Sequence, residues 1–158
     1  MPSRFTVRLF RPADMDQILR IERASFGADA YDRNLFAEFH HTCGDLFLVA
    51  GTRGRICGYM VTSMRGRTFP DRAEIVSVDV EPKSRGQGAA SSLMRNTLRR
   101  LRLRGVTRLS LMVRQSNQAA YRFYERYGFQ KLRRVPQYYE DGEDGLLMTA
   151  TVTPTGDV

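Results

Sequence analysis

Arg85-Gly86-Gln87-Gly88-Ala89-Ala90 comes shortly after an apolar, β-branched run, Ile75-Val76-Ser77-Val78-Asp79-Val80, and opens a helix-patterned segment. A strand, a glycine turn and a helix start bring several unpaired backbone N–H groups to one point. The positive end of the helix dipole lies there too, which suits an anion and a diphosphate in particular. Taken alone, the stretch also fits an ordinary tight strand-to-helix turn, so its meaning depends on what surrounds it.

Downstream, Ala90, Leu93, Met94, Thr97, Leu98 and Leu101 recur at helical spacing, and Arg95, Arg99 and Arg102 take the opposite face. Gly105 closes this helix. Leu109, Leu111 and Val113 alternate as a strand. Ser116 or Asn117 then caps a short helix that ends at Gly128. Strands near Gln130–Val135 and Leu146–Val152 follow, joined by Tyr138-Tyr139-Glu140-Asp141-Gly142-Glu143-Asp144. Upstream, Thr6–Phe10 reads as a strand, and Pro12 and Asp14 start a helix with Ile18, Ile21, Ala24 and Ser25 on one face. Residues 26–34 read as a loop, Leu35–Thr42 as a second helix, and residues 65–72 as a loop. Leu46–Ala50 and Ile56–Ser63 form a hairpin through Gly51-Thr52-Arg53-Gly54. The order β-α-α-β-β-β-α-β-α-β-β is a mixed α/β (α+β) architecture. Residues 1–158 read as a single domain, with 153–158 as a frayed tail.

The chain is 42% apolar with a net charge of +8. That composition is globular rather than disordered. Residues 83–108 hold Lys83, Arg85, Arg95, Arg99, Arg100, Arg102, Arg104 and Arg108 and no acid, so this one segment accounts for the whole excess of charge. Such a surface suits an anionic ligand or proximity to a ribosomal particle, and a solvated helix face is the plain alternative. No aromatic residues interleave with these arginines to stack bases, so direct nucleic-acid binding is not expected. No run is long enough to span a membrane. Cys43 and Cys57 make neither a metal-ligand spacing nor a disulfide framework, and no metal is expected. The expected location is the reducing cytoplasm.

Three elements together narrow the reading: Arg85-x-x-Gly88-x-Ala90; Asn117-x-x-Ala120-x-x-x-Tyr124-x-x-x-Gly128-Phe129; and Tyr138-Tyr139-x-Asp141-Gly142-Glu143-Asp144. From about Thr6 to Thr151 the chain resembles the GNAT superfamily of acyl-CoA-dependent N-acetyltransferases. Within it, the chain is most similar to the RimI-type ribosomal-protein alanine acetyltransferases and other protein N-terminal acetyltransferases. The resemblance implies a mostly antiparallel sheet of about seven strands with about four helices and a splayed central strand pair. It also implies acetyl-CoA as cosubstrate. The acceptor would be a protein or peptide N-terminus, that of a ribosomal protein being one such acceptor, and the enzyme a monomer or homodimer.

Residue by residue, the resemblance implies a diphosphate anchor in the backbone of Arg85, Gly86, Gln87, Gly88, Ala89, Ala90 and Ser91. Val78, Asp79 and Val80 would pair with the pantetheine and aim a main-chain N–H at the acetyl oxygen. Asn117 matches the asparagine that contacts the cofactor arm, and it can cap the helix at the same time. Tyr124 matches the tyrosine that protonates the CoA sulfur. A phenol of ordinary pKa near 10 is close enough to an alkyl thiol for that transfer. Tyr121, one turn earlier on the same face, is placed on the cofactor side with it, a plain core aromatic being the alternative. Tyr138 and Tyr139 match tyrosines that grip a peptide's first residues, with Phe26 and Tyr31 as the opposite wall.

Two positions depart from this pattern. Met112 stands where the bacterial relatives carry a catalytic glutamate, and Gly145 where an alanine is usual. Glu74 stands where some archaeal relatives carry a catalytic histidine, which makes it the candidate base. Asp29 and Asp32 are weaker candidates, and His40 and His41 are read as surface residues. The alternatives are transfer to a small amine, or a module that binds acyl-CoA or docks on RNA without turnover.

Overall fold

The computed structural model describes residues 4–153, so the expected frayed tail lies, apart from Thr153, outside the described residues. Seven strands and four α-helices form a mixed α/β fold. The strands are β1 (Thr6–Leu9), β2 (Phe47–Thr52), β3 (Arg55–Arg65), β4 (Phe69–Val80), β5 (Arg108–Arg114), β6 (Gln130–Val135) and β7 (Gly145–Thr151). The helices are α1 (Met15–Phe26), α2 (Arg33–Cys43), α3 (Ala89–Leu103) and α4 (Gln118–Glu125). The sheet order is β1-β2-β3-β4-β5-β7-β6. β1/β2, β2/β3, β5/β7 and β6/β7 are antiparallel, and β4/β5 is parallel.

The residues pack as two compact units, one made of the chain up to Ser63 with Ser77–Arg100, the other of Met64–Val76 with the chain from Leu101 onward. In the first, Ile18, Ile21, Phe36, Phe47, Met60 and Leu93 are fully enclosed. The rings of Phe36 and Tyr59 meet edge to face at 5.4 Å. The buried set on α1 is Met15, Ile18, Leu19, Ile21 and Glu22, with Ala24 exposed, so the helix turns an acid inward where the apolar spacing pointed to alanine. Helix α2 begins two residues earlier than expected because Asp32 caps it, its carboxylate accepting from Leu35 N at 3.0 Å. Asp32, which the sequence offered as a weaker candidate base, has this capping task in the fold.

In the second unit β5 alternates buried and part-exposed positions, with Leu109, Leu111 and Val113 inside. Strand β4 starts at Phe69 rather than Ala73. Asp71 O accepts from Thr107 N at 2.7 Å, and Arg72 pairs with Arg108, so the Pro-Asp pair that reads as a loop is drawn into the strand. The parallel β4/β5 ladder includes Arg72↔Arg108, Ala73↔Leu109 and Glu74↔Ser110. Asn117 caps α4 by accepting from Ala120 N at 3.1 Å.

Candidate active site

The turn from Arg85 to Ser91 lies in the first unit. Gly86 and Gly88 take φ of +78° and +100°, which disfavours any side chain, and nothing stands within 4 Å of where a Cβ would lie at either. The turn therefore leaves open space beside its backbone at the start of α3, the approach a diphosphate needs. The Arg85 side chain is occupied elsewhere. Its Nε donates to Val80 O at 2.9 Å, and its Nη2 donates to Ser25 Oγ at 2.8 Å and to Asp79 Oδ1 at 3.3 Å. The backbone N–H of Arg85 is taken as well, donating to Pro82 O at 3.4 Å, so the donors left to the turn start at Gly86.

Beside the turn lie two buried acids. Glu22 is 1% exposed; it accepts from Tyr59 OH at 2.6 Å and from Tyr31 N at 3.0 Å. Tyr59 OH is also 2.8 Å from Ser77 Oγ. Glu22 thereby fixes the segment between α1 and α2 that carries Tyr31, while Phe26, read as the start of that loop, is the last residue of α1; both rings are substantially exposed. Asp79 is also buried, and burial pushes its carboxyl up to about 6, against the opposing influence of Ser25 and Arg85.

The second unit holds the other predicted residues. Tyr124 is buried, ringed by Phe123 at 5.3 Å and Phe129 at 5.6 Å. Burial and the neighbouring Tyr139 raise its phenol well above the ordinary range. Tyr124 is thus a phenol that stays protonated across neutral and alkaline pH, and the close pKa match to a free thiol expected from sequence does not hold in the free protein. Tyr121 is half-buried and borders a groove of about 310 Å³ with Gln118, Arg122 and Leu146. Glu74 is half-buried, 3.6 Å from Arg65.

The hairpin between β6 and β7 is held by a cation that the sequence reading passed over. The Arg114 guanidinium lies 4.1 Å from the centroid of the Tyr139 ring and donates to Asp141 and Glu143, each at 2.9 Å. Glu143 also accepts from Ser116 N at 2.8 Å, and Ser116 and Arg114 hold its carboxyl down at about 2. Asp144 accepts from Gln137 N at 2.9 Å. Tyr138 and Tyr139 stand edge to face at 4.9 Å, with Tyr138 half exposed. The acids of Tyr-Tyr-x-Asp-Gly-Glu-Asp thus build the platform on which the tyrosines stand. Arg114→Ala is expected to raise the KM for the acceptor about tenfold with a much smaller change in the KM for acetyl-CoA, read by steady-state kinetics. Equal effects on both would mean that the clamp serves folding only.

Met112 and Gly145 prove to be one departure rather than two. A Cβ on Gly145 would lie 2.8 Å from Met112 Sδ, 3.0 Å from its Cγ and 3.1 Å from Tyr138 Cβ. The thioether fills the space that an alanine methyl would need.

Among the described residues no group of three His, Cys, Asp or Glu side chains could hold a metal, and no helix is long and apolar enough to cross a membrane. A family model for the acetyltransferase (GNAT) family matches residues 14–129. The chain belongs to that family. The acetyltransferase is 30% identical over 155 residues to an N-alpha-acetyltransferase of Sulfolobus acidocaldarius, covering 92% of each chain. It is 30% identical over 153 residues to the putative [ribosomal protein bS18]-alanine N-acetyltransferase of Bacillus subtilis, covering 96% of this chain and 99% of that one. The crystal structure of Ard1 from Thermoplasma volcanium superposes with a TM-score of 0.89 at 29% identity, covering 95% of this chain and 99% of that one. The protein is therefore an N-acetyltransferase, with acetyl-CoA as its acyl donor, and the open glycine turn fits that donor's diphosphate.

Proposed function

We propose that the acceptor is the α-amine of a protein N-terminus. The observation that carries this is the Arg114-clamped hairpin with its two tyrosines. Phenolic oxygens bond a peptide backbone without reading its side chains, as recognition of a chain end requires. The names of the relatives, N-alpha-acetyltransferase and ribosomal-protein-alanine acetyltransferase, favour the same class, a ribosomal protein being one such acceptor. Both cysteines are buried free thiols, as in a cytoplasmic protein.

In this reading the N–H groups of Gly86–Ser91 hold the diphosphate, the backbone of Val78–Val80 lines the pantetheine, and Asn117 and Tyr121 contact the arm. Acetyl-CoA supplies an activated thioester, so positioning and oxyanion stabilisation do most of the work. The amine nitrogen bonds to the carbonyl carbon and the carbon–sulfur bond breaks. Tyr124 gives its proton to the departing sulfur, and Glu74 receives the proton shed by the ammonium, directly or through water. Tyr138, Tyr139, Phe26 and Tyr31 hold the peptide.

Glu74→Gln is expected to lower kcat/KM at pH 7 by roughly tenfold or more. It should also move the rising limb of the pH–rate profile upward, toward the α-amine's own pKa of about 8. An unmoved profile removes Glu74 from the mechanism. The function itself is tested by thiol release from acetyl-CoA with a library of free-N-terminus peptides beside polyamines and aminoglycosides. Turnover on peptides, graded by their first two residues, is expected. Turnover on small amines alone overturns the reading.

A further inference from the structure

Asp79 has an unusual set of neighbours for a carboxylate that ends a central strand. It is 7% exposed, and its Oδ2 is buried with no hydrogen-bond partner among the described residues. Its Oδ1 has a long contact, 3.3 Å, to an Arg85 guanidinium already committed to Val80 O and Ser25 Oγ at shorter distances, and the Ser25 hydroxyl also bonds the carboxyl. The charged and titratable groups that face it are Arg85 from the turn, Glu22 and Ser25 from α1, and Tyr59 from β3. Of these, Arg85 and Ser25 favour the ionised carboxyl, while burial and Glu22 oppose it. A half-compensated buried charge is costly, and a proton removes that cost.

We propose that Asp79 is a positioning residue for the phosphate turn, and that it takes up a proton when the diphosphate of acetyl-CoA settles on the N–H groups of Gly86–Ser91. The inference rests on the reading of that turn as the diphosphate anchor, and it goes further by making donor binding proton-linked. An arriving dianion raises the proton affinity of any carboxylate beside it. It also competes with Asp79 for the field of Arg85, a cation that belongs to the turn and contacts the strand. By reciprocity, whatever raises the proton affinity of Asp79 on binding makes the donor bind more tightly as pH falls. The sign follows from charge alone, since neutral Asp79 tolerates the diphosphate and ionised Asp79 repels it. In the free protein the carboxyl titrates near 6, so a bound-state rise of about one unit would place the linkage in the range from about pH 5.5 to 7.5.

The test is calorimetric titration of the protein with acetyl-CoA between pH 5 and 8.5, in two buffers of different ionisation enthalpy, for wild type and Asp79→Asn. The amide keeps an acceptor for Arg85 and removes the charge. At pH 8 the variant is expected to bind roughly five- to tenfold more tightly than wild type, a ratio set by a one-unit shift. At pH 5 the two should agree within about twofold. Wild type should take up more protons on binding near pH 6.5, a difference that cancels the titration of the donor's own terminal phosphate because both proteins bind the same molecule. Weaker binding by Asp79→Asn at every pH would make Asp79 a plain anchor for Arg85 and overturn the proposal. An affinity ratio independent of pH would overturn it as well. Ser25→Ala provides a second handle. Loss of a hydroxyl that favours the ionised carboxyl should move the wild-type midpoint to higher pH, and an unmoved midpoint counts against Asp79. Wild type that binds acetyl-CoA but acetylates no peptide would sink the N-terminal acceptor and leave this test intact. Wild type that does not bind acetyl-CoA at any pH would sink the phosphate-turn reading itself.

Discussion

Tyr124→Phe is expected to lower kcat by roughly a hundredfold or more, while the dissociation constant for acetyl-CoA stays within about twofold of wild type. The substitution leaves the ring in place, and it is the ring that packs against Phe123 and Phe129. What is lost is one proton donor. Because burial holds the phenol well above its ordinary range, Tyr124 stays protonated at any working pH and serves as an acid rather than a base. The raised value does not disqualify it. A thiolate leaving into a similarly water-poor site is destabilised by the same desolvation, so donor and acceptor rise together. Single-turnover kinetics with a peptide acceptor check the chemical step, and a binding titration checks the donor. A wild-type rate in the variant would remove Tyr124 from the reaction. A rate loss matched by an equal loss of donor affinity would make it a wall of the site rather than an acid.

The parts of this fold legible in the sequence are those whose cause is local. The stripe on α3, the alternation on β5 and the Asn117 cap each depend on residues a few positions apart, and each is found where it was expected. The parts that were not legible depend on partners distant in the chain. Glu22, between an isoleucine and an arginine on α1, looks like a solvated position. Its burial is made tolerable by Tyr59, 37 residues away. Asp71 reads as a turn residue until Thr107 binds it from 36 residues further on. Arg114 looks like the solvent-facing end of a strand, and only the folded hairpin brings Asp141, Glu143 and the Tyr139 ring around it. A basic residue before a capping serine and asparagine, followed by Asp-Gly-Glu-Asp about 27 positions on, carries a charge complementarity that could have suggested the clamp. The coupling of Met112 with Gly145 had no such signal, since it is a matter of volume between two strands. For the site, the glycine turn and the hairpin could be located from the sequence, because glycine conformation and turn chemistry are written locally. The electrostatic setting of Asp79, Glu22 and Tyr124 was not, because burial is a property of the folded chain.

Gly88→Glu should abolish measurable binding of acetyl-CoA, a loss of at least a hundredfold, while the protein still folds. Nothing stands within 4 Å of where a Cβ on Gly88 would lie, so the first carbon of a side chain meets no protein atom. The price within the fold is the left-handed backbone, φ +100°, which costs a non-glycine residue on the order of 1–2 kcal/mol and a few degrees in Tm. The glutamate then brings a carboxylate to the place where the diphosphate would sit, and it competes for the same N–H groups. Gly88→Ala separates the two effects. It carries the same backbone strain and similar loss of Tm, adds one methyl and no charge, and should weaken the donor far less than the glutamate does. Binding titrations on all three proteins, with thermal melts alongside, decide the matter. If Gly88→Glu binds acetyl-CoA like wild type, the diphosphate lies elsewhere and the reading of Arg85–Ser91 is wrong. If alanine and glutamate weaken binding equally, the turn acts through its backbone conformation alone, and charge at its mouth is irrelevant.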